Sequence, residues 1–282
     1  MNLFAALLML LSQEPQPESR ILTYKDYAKI KHDVPYILEF TVGKGALLLY
    51  GGRHVFDPAD AQVADIQNEW AEFKPDVVYN EGGNPPTEAS VGGAVKRYGE
   101  PGLVRFLAAR DHVPIATFEP KEDEEVAALR KRFSAEQVKV FLALRSFLTF
   151  RHSHHDQTVE RYMDHALTVF GQEKGLAESP RNYQELQESC NRLLPELKDW
   201  RQVPDDWFDP TQEGHYTNEA QNVSGYCRDR HIFKVLIQSA QRGNRVLAVI
   251  GASHVLVLEP ALVAALGPPC RKRNGNSLTP SK

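Results

Sequence analysis

Two Gly-x-x-His elements, Gly51-Gly52-Arg53-His54 and Gly251-Ala252-Ser253-His254, lie near opposite ends of the chain. Each directly follows an apolar run, Ala46-Leu47-Leu48-Leu49-Tyr50 in the first case and Val246-Leu247-Ala248-Val249-Ile250 in the second. Two carboxylates occupy comparable positions: Glu81 after Asp76-Val77-Val78-Tyr79-Asn80, and Glu119 after Pro114-Ile115-Ala116-Thr117-Phe118. An imidazole titrates near neutrality, so it can take a proton from water, while a neighbouring carboxylate fixes its tautomer and stabilises the imidazolium. That pairing supports general-base hydrolysis without a nucleophilic serine. The same groups are ligands for divalent Mn, Co or Zn, and His54, Glu81 and His254 would make an open metal site that acidifies its bound water.

Arg228 stands on the helix before the last strand and keeps its charge in a fixed fork of donors. It reads either as a stabiliser of a developing oxyanion or clamp on a substrate carboxylate, or as a buried ion-pair partner of Glu81 or Glu119. Glu119 precedes Pro120, which is also an ordinary way to end a strand. With 18 Gly and 10 His in 282 residues, roughly 0.6 Gly-x-x-His matches arise by chance, so the weight lies in position rather than in the motif. At a strand end the glycine lets the backbone turn sharply and the histidine enter a cleft. The structural alternative is that each histidine only caps its strand.

The elements that must carry these groups are legible. The stretch Tyr36-Ile37-Leu38-Glu39-Phe40-Thr41-Val42, a turn at Gly43-Lys44-Gly45, and the apolar 46–50 run predict a β-hairpin whose second strand is buried on both faces. Residues 57–74 predict a helix capped by Asp57, with Val63, Ile66, Trp70 and Phe73 on one face. Strand 76–79, helix 101–110 and strand 114–118 continue the alternation, and after a helix at 219–241 the strand 245–250 resumes it. The expected fold class is α/β, with a mostly parallel central sheet formed from both ends of the chain. Helices at 122–133, 135–150, 159–171 and 183–200 predict a helical insertion over 121–218, which includes a lid-like loop at 201–218 bearing Trp207, His215 and Tyr216. The α/β core is assigned to 21–120 and 219–266, and 267–282 to a solvated, disordered tail. Ligands bind such sheets outside the carboxyl ends of the strands, where the two histidines and two glutamates stand.

In order and spacing, Leu49-Tyr50-Gly51-Gly52-Arg53-His54, Glu81-Gly82, Arg228-Asp229-Arg230 and Val249-Ile250-Gly251-Ala252-Ser253-His254 resemble the TraB/Tiki/erythromycin-esterase superfamily. The resemblance covers about 45–120 and 219–266 and leaves out the helical middle. It implies a hydrolase-like site acting on a peptide, ester or amide bond, with His54, Glu81, His254 and Arg228 as its principal residues; Glu119 is added as a secondary one from its strand-end position alone. Members of the esterase branch tend to carry a glutamate three residues before the first histidine. This chain has Gly51 there, so the TraB/Tiki-like pattern fits better.

Composition narrows the partners. Lys plus Arg number 33 against 37 Asp plus Glu, a formal charge of −4, which supplies no positive field for a nucleic-acid backbone. The apolar start, residues 1–12, is shorter than the roughly 20 residues a membrane span needs. It reads instead as the core of an export signal without a basic flank, or as a disordered N-terminus within 1–20. Export would make the protein secreted or periplasmic; otherwise it is cytoplasmic. Cys190, Cys227 and Cys270 match neither a zinc nor a redox spacing. Ser253 lies outside a Gly-x-Ser-x-Gly elbow, and His152, His154, His155 and Asp156 read as a solvated patch. Besides a hydrolase, the same cleft fits a non-catalytic module that sequesters a peptide or a small ligand such as haem.

Overall fold

The computed structural model describes residues 16–151, 157–275 and 277–279. The apolar start at 1–12 and the patch of His152, His154, His155 and Asp156 fall outside the described residues. In chain order the elements are helix α1 (Tyr24–Tyr27), strands β1 (Tyr36–Val42) and β2 (Gly45–Gly52), helix α2 (Ala61–Phe73), strand β3 (Val77–Asn80), helix α3 (Val91–Asp111) and strand β4 (Ile115–Thr117). Helices α4 (Glu122–Leu129), α5 (Ala135–Arg151), α6 (Val159–Phe170), α7 (Tyr183–Leu193) and α8 (Tyr216–Gln241) follow. The chain closes with strand β5 (Arg245–Gly251), helix α9 (Ala252–Leu266), and strands β6 (Arg271–Asn274) and β7 (Ser277–Thr279). Two compact units result: Met1–Glu119 with Asp229–Lys282, and Pro120–Arg228. The second boundary falls inside α8.

The first unit is α/β around a mixed sheet of order β4-β3-β5-β2-β1-β6-β7. Strands β4, β3, β5 and β2 run parallel, while β1, β6 and β7 are added antiparallel. Strand β5, from late in the chain, lies between β2 and β3. The hairpin turn needs a left-handed residue, and Gly43 supplies it at φ +58°. Alternate residues of β2 feed two cores. Leu47 and Leu49 pack with Ala248, Ile250, Val255, Leu258 and Leu236, whereas Leu48 and Tyr50 pack with Ile66, Trp70, Leu103, Leu107 and Val249. A strand covered on both faces must be apolar at every position. Each buried leucine contributes roughly 1.5–3 kcal/mol.

Three local expectations shift. Helix α2 is capped by Asp60, whose side chain accepts from Gln62 N, because Asp57 instead closes the preceding turn by accepting from Ala59 N. Helix α3 begins ten residues before the expected 101, with Ser90 as its cap, and kinks at Gly99, φ +62°. Its first half has Val91, Ala94, Val95 and Tyr98 at helical spacing, but Gly92, Gly93 and Gly99 interrupt the stretch as helix breakers. The tail expected to be solvated from 267 is a further correction, since Arg271–Asn274 pairs in register with Tyr36–Glu39. Its basic side chains find carboxylates far away in sequence. Arg271 binds Glu39 (2.8 Å) and Glu69 (2.6 Å), Arg273 reaches Asp65, and Lys272 binds Glu259 (2.6 Å).

The second unit is helical. Its core gathers Phe141, Leu144, Phe147, Met163, Leu186 and Trp200. The stretch expected as a lid is tied down within this unit: Val203 is buried, Phe208 stacks on Phe141 (ring centroids 5.5 Å apart), and Asn218 donates to the carbonyls of Asp206 and Asp209. His215 stacks on Trp207 and bonds Glu196. Among the described residues no helix is long and apolar enough to cross a membrane.

Candidate active site

The interleaving of β5 between β2 and β3 brings distant strand ends side by side. Gly52 is paired with Gly251 across β2 and β5, and Asn80 with Val249 across β3 and β5. The residues just beyond these pairs are His54, Glu81 and His254, all in the α/β unit. One small cleft is lined by Gly52, Arg53, His54, Glu81, Glu100, Pro101, Val249, Ile250 and Gly251. It lies where the strand connections turn to opposite sides, the expected position for a ligand in an α/β sheet.

His254 stands in the first turn of α9, which begins directly after β5 with Gly251 as its cap. Its ring is buried, and Nδ1 lies 2.6 Å from Asp229 Oδ1. Asp229, on α8, has 0% of its surface exposed, and its second oxygen accepts a hydrogen bond from Tyr24 OH at 3.0 Å. A buried carboxylate needs such donors to offset its lost hydration. Asp229 thereby assigns the proton to Nδ1, leaving Nε2 as the acceptor face of the ring. That face meets Glu81, with Oε1 3.9 Å from Nε2. The gap is too long for a direct hydrogen bond, and suits an atom that bonds to both.

Glu81 is itself oriented by backbone. Its Oε2 accepts from Gly251 N at 2.9 Å, at the N-terminal end of α9, where the helix dipole favours negative charge. The next residue is anchored in turn: Gly82, at φ +79°, donates its N–H to Glu119 Oε1 at 2.9 Å. Glu119 therefore fixes the turn that bears Glu81.

His54 is held differently. Its backbone neighbours are pinned by buried side chains: Gln62 accepts from Arg53 N and donates to Arg53 O, and Glu100 accepts from Val55 N at 2.8 Å. The imidazole itself is 68% exposed, with Nδ1 3.6 Å from the buried Glu100 Oε2. The site thus contains two unlike histidine–carboxylate pairs, one buried and oriented, one open.

Position 51 has no space for a side chain. A Cβ there would lie 2.7 Å from Tyr36 O and 2.9 Å from Ala252 Cα, both backbone atoms. The close approach of β1, β2 and α9 leaves position 51 no room for a glutamate.

Arg228 belongs to the helical unit. There its charge, with that of Arg145, acts on Glu125: burial opposes ionisation of that carboxyl, but Arg145, Ser224 and Arg228 together hold it below the usual carboxylate range. Arg145 binds Glu125 Oε1 at 2.5 Å and Oε2 at 3.1 Å.

Two of the residues holding the histidines, Asp229 and Glu100, were not singled out from the sequence, and neither was Tyr24. Asp229 enters only as the middle of the Arg228-Asp229-Arg230 match, without a role of its own, and Glu100 sits beside the kink at Gly99. Among the described residues no group of three or more His, Cys, Asp and Glu side chains is arranged to hold a metal ion. The expected trio His54, Glu81 and His254 is accordingly not such a group. Within that trio, His254 Nε2 and Glu81 Oε1 lie 3.9 Å apart. The chain matches no family model, no curated protein and no solved structure.

Proposed function

We propose that the protein is a hydrolase that cuts a peptide, ester or amide bond with His254 as general base. The observation that carries this reading is His254 held between Asp229 and Glu81, its Nδ1 bonded to a buried carboxylate and its Nε2 3.9 Å from Glu81, which lines the cleft. A water bonded to Nε2 and Glu81 Oε1 loses its proton to Nε2 as it attacks the carbonyl, and Asp229 stabilises the imidazolium that forms. His54, exposed beside Glu100, supplies the proton that the leaving group requires. Glu119 acts through the Gly82 amide by keeping Glu81 in place. The motif resemblance to the TraB/Tiki-like proteins points to the same reaction class.

A screen of ester and peptide substrates on the wild type, His54→Ala and His254→Ala tests this. Hydrolysis by the wild type that drops about 10²–10⁴-fold in His254→Ala is expected for a lost general base. Full turnover in His254→Ala refutes the assignment, as does retention of a peptide or haem without any product. Elemental analysis for Mn, Co and Zn on the same preparations reads the remaining alternative. Stoichiometric metal that disappears in His254→Ala would convert His254 from base to ligand.

A further inference from the structure

The buried carboxylate behind His254 is held by a residue from the other end of the chain. Tyr24 OH donates to Asp229 Oδ2 at 3.0 Å, while Asp229 Oδ1 faces His254 Nδ1 at 2.6 Å. Tyr24 is buried, so this hydroxyl does not exchange freely with water as an alternative donor. The segment that carries it, the 3₁₀ turn Pro17–Arg20 and α1, is gripped at several points. Leu22 N donates to Val257 O of α9 at 3.0 Å, Glu18 pairs with Arg230 and with Lys234 (3.5 Å) of α8, and Ile21 joins the sheet core. These contacts fall on the two helices that carry Asp229 and His254. No catalytic requirement explains why a stretch preceding the sheet should bond the helix residue behind the histidine. Positioning does.

We infer that Tyr24 is a positioning residue, and that the docked segment Pro17–Tyr27 sets the orientation of the Asp229–His254 pair. With two donors on its two oxygens, Asp229 cannot rotate about its Cβ–Cγ bond without losing one of them, so the imidazole ring plane is fixed through it. Removing the tyrosine hydroxyl leaves Oδ2 in the protein interior with one donor fewer and frees that rotation. The activity arm of this inference rests on the hydrolase reading; the positioning arm does not.

The test compares full-length wild type, Tyr24→Phe and His254→Ala. Phenylalanine fills the tyrosine's volume, so the fold is retained, and thermal melting checks that it is. A short Nδ1–H to carboxylate bond gives a strongly deshielded proton resonance. That signal is expected in the wild type, absent in His254→Ala, and displaced or broadened in a Tyr24→Phe protein that still melts cooperatively. A wild type without the signal, or a Tyr24→Phe spectrum that superimposes on it, overturns the inference. Where the screen yields a substrate, Tyr24→Phe lowers kcat about tenfold, the loss of one hydrogen bond to a charged group, with KM unchanged. An unchanged kcat overturns the functional role of Tyr24. Absence of any substrate removes the hydrolase reading while the resonance still decides the positioning.

Discussion

Replacing Asp229 by asparagine or by alanine separates the role of its charge from the role of its shape. The carboxylate is fully buried and accepts from Tyr24 OH and, at 2.6 Å, from His254 Nδ1. Asparagine can keep both contacts, its carbonyl accepting from the imidazole and its amide donating to the tyrosine oxygen. Two charge-assisted hydrogen bonds then become neutral, a loss of about 1 kcal/mol each. Burying an amide in place of an ion returns a comparable amount. The folded state of Asp229→Asn should therefore lie within about 1 kcal/mol of the wild type. Turnover should fall by about 10²–10⁴, because the imidazolium loses its counter-charge. Alanine leaves the tyrosine hydroxyl and the imidazole N–H in the interior without this acceptor, at about 1–3 kcal/mol for each group. Urea denaturation read by circular dichroism measures both, since the midpoint shifts with stability at constant slope. An Asp229→Ala protein that unfolds at the wild-type midpoint would show that the dyad is not a buried, mutually satisfied pair. An Asp229→Asn protein with undiminished turnover would show that the charge has no part in the chemistry.

Two further outcomes test the frame around the site. Gly51→Ala places a Cβ 2.7 Å from Tyr36 O and 2.9 Å from Ala252 Cα, and since backbone on both sides cannot yield cheaply, a loss of about 1–3 kcal/mol is expected by the same urea assay; wild-type stability would show that β1, β2 and α9 are less tightly apposed. In the helical unit, Glu125 has its carboxyl held below the ordinary 4.5, with burial opposing and Arg145 leading the stabilising charges. A depressed folded value means the contribution is fully present above about pH 4.5 and is lost as pH falls through the lower, folded-state value. Glu125→Gln should thus be less stable than the wild type at pH 7 by up to about 3 kcal/mol, and the two should converge in acid. A difference that stays constant from pH 7 to pH 3 would contradict the ion pair.

Strands β1 to β5 and the two Gly-x-x-His turns were legible because each is a local event. A continuous apolar run records burial on both faces, and a glycine followed by a polar side chain records a sharp exit from a strand. The sequence therefore determined an α/β core, the strand ends to within two residues of Gly52, Asn80 and Gly251, and the candidacy of His54, Glu81 and His254. It did not carry the strand order. That β5 inserts between β2 and β3, so that the turns become neighbours, depends on hydrogen bonds between segments far apart in the chain. Nor did it reveal which residues serve the histidines. Tyr24 and Asp229 are 205 positions apart, Val55 and Glu100 are 45 apart, and nothing in the local pattern of either partner marks the pairing. Arg271-Lys272-Arg273 misled for the same reason, since a basic run looks solvated until Glu39, Glu69, Asp65 and Glu259 are brought to it. Apolar periodicity is written residue by residue, because each side chain reports its own burial. The partner of a polar group is fixed only when the chain closes on itself, and there the tertiary structure alone decided.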